Sequence, residues 1–326
     1  MSLLLALSSA AVPWRSLAQQ QPKVWRIGSI SLASGPSEFT SSFVQKLHEL
    51  GYVNGKNVVF EWRYAAGDVA RLPQIASDLV RLKVDLIIVQ TNYIAEVTKR
   101  ATRTIPLVLP WAVDPVGSGL AESLAHPGGN VTGLSVMNAE LAGKKLQFLR
   151  EVIPNIRRVA VLALAHATEP GFATGARRLI DQLREPAQQL GITILPQAPG
   201  SATDIPKAFA AMHRDGAKAL IVQSSALSFE HRKLIAELAA QQHLPAIYDF
   251  KYAAEAGGLI SYGPDMVQMF LRSAELVDKI FKGENPAAIP FEQPSKYELV
   301  INLKTAKALG LIIPPTVLLR AGRVIE

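Results

Sequence analysis

The residues of this chain that could act on a small molecule stand just past its apolar strands. Ser31, Ser34 and Ser37 follow the first; Thr91, Asn92 and Tyr93 follow DLIIVQ (Asp85 to Gln90); Trp111 and Asp114 follow IPLVLP (Ile105 to Pro110). In the second half the corresponding positions hold His166 and Thr168, then Ser224 and Ser225, then Tyr248 and Asp249, then Tyr262. Serines and helix N-termini can hold a carboxylate, and Asp114 or Asp249 can pair with an ammonium group. Tyr93, Trp111 and Tyr262 can stack on a flat moiety, each contact contributing about 1 kcal/mol. This is the chemistry of recognition. Plainer roles stand beside it: Ser37, Thr168 and Ser225 suit helix caps, and Trp111 and Tyr93 could fill core gaps. Asp114 before Pro115 suits a cap with proline at the first helical position, so a short helix is expected there. Placement at one end of two sheets favours binding, because aromatics packed for stability have no reason to gather there.

Signatures of bond chemistry are poor. The six histidines, His48, His126, His166, His213, His231 and His243, are spread along the chain without metal-ligand spacing. No GxSxG elbow occurs. The segment GYVNGKN (Gly51 to Asn57) has three spacers where a phosphate loop needs four, and no Ser or Thr follows Lys56. Gly117, Ser118 and Gly119 are followed by Glu122 where a dinucleotide fingerprint needs a third glycine. No enzyme activity, cofactor or metal is expected.

A strand and helix rhythm must position these groups. VWRIGSIS (Val24 to Ser31) reads as a strand; Phe39, Phe43 and Leu47 mark a helix to Leu50; NVVFEWRY (Asn57 to Tyr64) is the next strand. DLIIVQ is continuously apolar, as a strand covered on both faces by helices must be. The rhythm restarts at RRVAVLAL (Arg157 to Leu164), with a helix over 229–242, and it closes with YELVIN (Tyr297 to Asn302). The fold class expected is α/β, with two doubly wound Rossmann-like lobes around parallel sheets. Ligands of such sheets sit outside the carboxyl ends of the strands.

The chain of 326 residues is 49% hydrophobic, ample for two cores, and its 19% charged residues are scattered. Its net charge of +7 is unaccompanied by basic runs interleaved with aromatics, so no nucleic-acid partner is expected. Leu3 to Val12 (LLLALSSAAV) has the length of a signal-peptide core, and Ser16, Leu17 and Ala18 place small residues at a cleavage site. No Lys or Arg precedes that run. A signal peptide over 1–18 and export follow as expectations. The absence of cysteine removes disulfides and an acylated anchor, so the expected product is a soluble periplasmic monomer.

Five phrases carry a resemblance: ELGYVNGKNVVFEWRYAAGD (Glu49 to Asp68), DPVGSGLAESLAHPGGNVTGLS (Asp114 to Ser135), LPAIYDF (Leu244 to Phe250), GGLISYGPD (Gly257 to Asp265) and ELVINLKTAKALGLIIPP (Glu298 to Pro315). In them the chain resembles the type I periplasmic binding proteins, in the branch of ABC-transporter substrate-binding proteins that includes tryptophan and tyrosine binders. The resemblance implies three crossovers between the lobes, with lobe I over 23–134 and about 258–292, and lobe II over 135–257 and about 293–326. It implies ligand contacts from the turn at Ser34 to Phe39, from Thr91, Asn92 and Tyr93, from Trp111 and Asp114, from His166 and Thr168, from Ser224 and Ser225, from Asp249 and from Tyr262. It also implies delivery of the ligand, an amino acid or small aromatic acid, to the membrane permease subunits of an ABC importer. At Ala165 to Ala167 and at Ser224 to Ala226 the chain lacks the Asn-Pro-Ser and Thr-Asp-Asn phrases of the amino-acid binders. Two other readings remain: a ligand-sensing protein that feeds a signalling receptor, and an α/β enzyme.

Overall fold

A computed structural model of the chain describes residues 23–136, 138–164 and 172–326. The expected signal peptide, His166 and Thr168 lie outside the described residues. The first lobe runs β1 (Trp25–Ser31), α1 (Glu38–Glu49), β2 (Val58–Tyr64), α2 (Leu72–Arg81), β3 (Leu86–Val89), α3 (Asn92–Ala101), β4 (Leu107–Val113) and β5 (Val131–Val136). Its five strands are all parallel in the order β2-β1-β3-β4-β5. Ile27, Phe43, Leu47 and Leu86 pack one face, and Leu72, Leu79, Ile87 and Ile94 the other. That two-sided burial is why the strands are apolar throughout.

The second lobe continues with α4 (Asn138–Val152), β6 (Arg158–Leu162), α5 (Phe172–Gln189), β7 (Thr193–Gln197), α6 (Ile205–Arg214), β8 (Ala219–Val222), α7 (Ala226–Glu230), α8 (Arg232–Gln241), β9 (Ala246–Tyr248), α9 (Lys251–Glu255) and β10 (Ile260–Pro264). Then α10 (Met266–Phe281) packs on α1 and β4 in the first lobe. The chain ends in the second lobe with β11 (Tyr297–Asn302), α11 (Leu303–Ala308), α12 (Pro315–Leu318) and β12 (Arg323–Ile325). Seven strands form the sheet β12-β11-β10-β9-β8-β6-β7, whose β7-β6-β8-β9-β10 portion repeats the order of the first. The expected two-lobe α/β architecture with three crossovers is what the structure has: the chain passes between lobes after β5, after β10 and between Glu292 and β11.

Several expectations change in detail. β11 runs antiparallel to β10, and β12 follows β11, so the second sheet is parallel only in its first five strands. The return to lobe I comes after Pro264 rather than at about 258, because β10 pairs with β9 before the chain crosses. The helix expected over 229–242 is two: a capping box at Ser225 starts α7, and His231, at φ −97° and ψ 19°, separates it from α8. No helix opens at Pro115. Asp114 stands at φ 47°, in the left-handed region rather than the extended conformation of an N-cap, and a turn follows to Gly119 at φ 72°.

The third crossover is fastened to lobe I. Glu292 donates its amide to the Gly133 carbonyl at 3.0 Å and accepts the Ser135 amide at 2.7 Å. Its carboxylate receives Arg272 of α10 through two parallel hydrogen bonds, of 2.5 Å from Nε and 2.7 Å from Nη2.

Candidate functional site

The carboxyl ends of the two sheets face each other, and between them lies a recess of about 440 Å³, its solvent mouth included. Lobe I contributes Trp111, Val113 and Val136; lobe II contributes Lys145, Ser224, Asp249 and Phe250. A second recess of about 290 Å³ adjoins it, lined by Phe229, Arg232, Tyr248 and Tyr252 as well as Asp249 and Phe250.

Trp111 reaches the recess through an irregularity that its neighbour creates. Pro110 has no amide to give to the ladder, and the register of β4 against β5 shifts between Leu109 and Ala112. Such a bulge re-aims a side chain. The indole meets the Phe250 ring edge-on at 4.7 Å, a contact across the lobes. A second aromatic contact between lobes forms around Phe39 of α1, which is 6% exposed. Its ring lies 5.2 Å from Tyr252 and 5.6 Å from Phe229, both of lobe II, and 5.6 Å from Phe270 of α10.

The centre of the lobe II wall is an ion pair. Lys145, on α4 and 5% exposed, contacts Asp249 Oδ1 through its Nζ, while Asp249 Oδ2 accepts the Ser224 amide at 2.7 Å. Burial pushes the Lys145 pKa down, to about 7. Close to Asp249, Gly263 of β10 allows a backbone approach that no other residue permits: a β-carbon there would lie 1.7 Å from the Asp249 carbonyl oxygen. Among the described residues, three buried polar atoms of the lining have no hydrogen-bond partner, Trp111 Nε1 and the hydroxyls of Tyr248 and Tyr252. Burial raises the pKa of both tyrosines, which therefore stay neutral donors.

Of the residues expected from sequence, Trp111, Ser224 and Asp249 meet at this recess and Phe39 closes over its neighbour. Thr91 caps α3 and Ser225 caps α7 through their hydroxyls. Asn92 is a clamp: it donates to the Val113 carbonyl at 2.6 Å and to Ser118 Oγ at 3.0 Å, and accepts the Val113 amide at 2.9 Å. Asp114 accepts the Gly117 amide at 2.9 Å within its turn. Tyr93 packs against the lobe I core, Ser34 is exposed on its turn, and Tyr262 lies against Phe148 at 5.1 Å. None of these seven residues, Thr91, Ser225, Asn92, Asp114, Tyr93, Ser34 and Tyr262, is in the lining of either recess. Sequence reasoning passed over Lys145 and Phe250. The signal for Lys145 was present: with Leu141, Phe148 and Leu149 it occupies the buried stripe of its helix, where a lysine is out of place unless paired.

Among the described residues no group of His, Asp and Glu could hold a metal ion, and no helix is long and apolar enough to cross a membrane.

Comparison with known proteins agrees with this geometry. The family model for ABC transporter substrate binding protein matches residues 28–325. The tyrosine-binding protein of Clostridioides difficile (strain R20291) is 25% identical over 287 residues, 87% of this chain and 81% of the relative. A conserved domain protein from Vibrio cholerae superposes with a TM-score of 0.85 at 26% identity, covering 93% of this chain and 100% of that one. An ABC domain from Streptococcus pneumonia in complex with L-Trp superposes with a TM-score of 0.84 at 25% identity, again with 93% and 100% covered. By the family model that spans it and the two-lobe fold it shares with these structures, the chain belongs to the ABC transporter substrate binding protein family, as a solute-binding protein of the type I periplasmic fold.

Proposed function

We propose that this protein is the receptor of an ABC importer, capturing a small aromatic solute, an amino acid or a small aromatic acid, between its lobes and delivering it to membrane permease subunits. The observation that carries the reading is the recess itself, where Trp111 from one lobe faces the Lys145–Asp249 pair and Phe250 from the other. A ring lying across the edge where Trp111 meets Phe250 touches both lobes at once, so it binds the closed arrangement more tightly than the open one. That difference in affinity is what closes the lobes and creates the form a permease recognises. The nearness of the fold to a structure holding L-Trp, and the likeness to a tyrosine-binding protein, support an aromatic ligand. Export through a signal peptide over 1–18 and residence in the periplasm belong to the same proposal, since the transporter takes its substrate from outside the membrane.

The test is a thermal-shift screen of the purified protein against amino acids, aromatic acids, sugars and purines. Stabilisation by aromatic amino acids or aromatic acids is expected; a flat response to both classes refutes the reading.

A further inference from the structure

The proposed role leaves open whether the aromatic ligand carries an α-ammonium group. We propose that the buried Lys145–Asp249 pair selects aromatic carboxylates that lack this group over the corresponding amino acids; the inference rests on the receptor reading above.

Among the described residues, Asp249 is the one carboxylate lining either recess, while two cations, Lys145 and Arg232, line them. Both oxygens of Asp249 are engaged from within the protein: Oδ1 by the Lys145 ammonium and Oδ2 by the Ser224 amide at 2.7 Å. Lys145 thus stands where the ammonium of an amino acid would otherwise sit. A ligand that brought its own ammonium would have to displace Lys145, whose side chain is 6% exposed and has no second carboxylate to turn to among the described residues of the recess. The result would be two cations around one anion in a site withdrawn from water, a costly arrangement.

A carboxylate meets the opposite situation. An ammonium has three donors, and the contact with Asp249 uses one of them. Trp111 Nε1, a group that can only donate, is buried in the recess wall without an acceptor. The hydroxyls of Tyr248 and Tyr252 are buried without partners in the adjoining recess. A carboxylate supplies acceptors to such groups and balances the surplus positive charge of the lining, while the ring of the same molecule packs against the joined edges of Trp111 and Phe250.

The experiment is isothermal titration of the full protein with two matched pairs, L-tryptophan against 3-(indol-3-yl)propanoate and L-tyrosine against 3-(4-hydroxyphenyl)propanoate. The members of each pair differ only in the α-ammonium. The des-amino acid is expected to bind about tenfold more tightly or better in at least one pair. Equal or tighter binding of the amino acids overturns this inference and leaves the receptor reading standing. Binding of neither member of either pair, with a sugar or purine bound instead, overturns both. The Lys145→Gln variant, checked for folding by circular dichroism, frees Asp249 for a ligand ammonium and is expected to bring the preference to parity or reverse it. A folded Lys145→Gln protein with the wild-type preference unchanged also overturns the proposal.

Discussion

Removing the ammonium of Lys145 should strand a carboxylate, and the size of that effect follows from the pair's surroundings. Lys145→Met keeps a chain of similar length on the buried stripe of α4 but leaves Asp249 with the Ser224 amide alone. Breaking a buried ion pair from one side costs about 3–5 kcal/mol. The Asp249 side chain is 19% exposed and keeps one hydrogen bond, which places the loss at the lower end, about 3 kcal/mol. Asp249→Asn should cost less, about 1–2 kcal/mol, because the amide oxygen can still accept from Ser224 and Lys145 can shed its proton. In the double variant neither charge is stranded, so the combined loss should fall short of the sum by about 2 kcal/mol. Urea unfolding followed by circular dichroism, on ligand-free protein at neutral pH, measures all four corners. If the two single losses add to within about 0.5 kcal/mol, the pair is not energetically coupled and the account of the lobe II wall fails.

Three other outcomes are expected. Lys145 has a folded pKa of about 7, against 10.5 ordinarily, so the unfolded chain holds this proton more tightly; stability should rise with pH between these values, by at most about 1.4 kcal/mol per unit, and Lys145→Met should lack that component. Identical pH slopes for the two proteins would refute it. Gly263→Ala should lower stability by about 3 kcal/mol and weaken ligand binding, since its β-carbon meets the Asp249 carbonyl; wild-type melting and titration would refute the close approach. Phe39→Ala should cost about 3–5 kcal/mol and shift the lobes apart, visible as an increased radius of gyration in small-angle scattering; an unchanged radius would show that its contacts with Phe229 and Tyr252 do not hold the lobes together.

The fold was largely legible because strands covered on both faces must be apolar throughout, and Leu86 to Val89 or Ala219 to Val222 display this directly. At the positions after the strands, polarity alone could not separate a helix cap from a group facing the recess. Thr91 and Asn92 have the same chemistry as a ligand-holding pair but are consumed by α3 and by the end of β4. Asp114 carries a capping residue's side chain on a backbone in the wrong region, a conformation that only the folded turn specifies. Lys145 was hidden for a different reason. Its partner lies 104 positions away, and periodicity reports a face of a helix without naming what that face meets. Tyr262 follows the alternation of β10, and that register sends it to Phe148 while Gly263 and Pro264 line the recess.

The fastening of Glu292 to Gly133, Ser135 and Arg272 has a consequence for how weak contacts add up. It leaves residues 293–296 as the span between the lobe I attachment and the start of β11, with Pro294 stiffening it. Tethers this short keep each half of the recess at a high effective concentration for the other. Under the proposed receptor role, a solute resting on Trp111 would meet Phe250 and Lys145 as neighbours in the same molecule, and neither wall would need to be a good binder by itself. Lengthening 293–296 with glycine and serine would dilute one wall with respect to the other and weaken capture without altering a single contact.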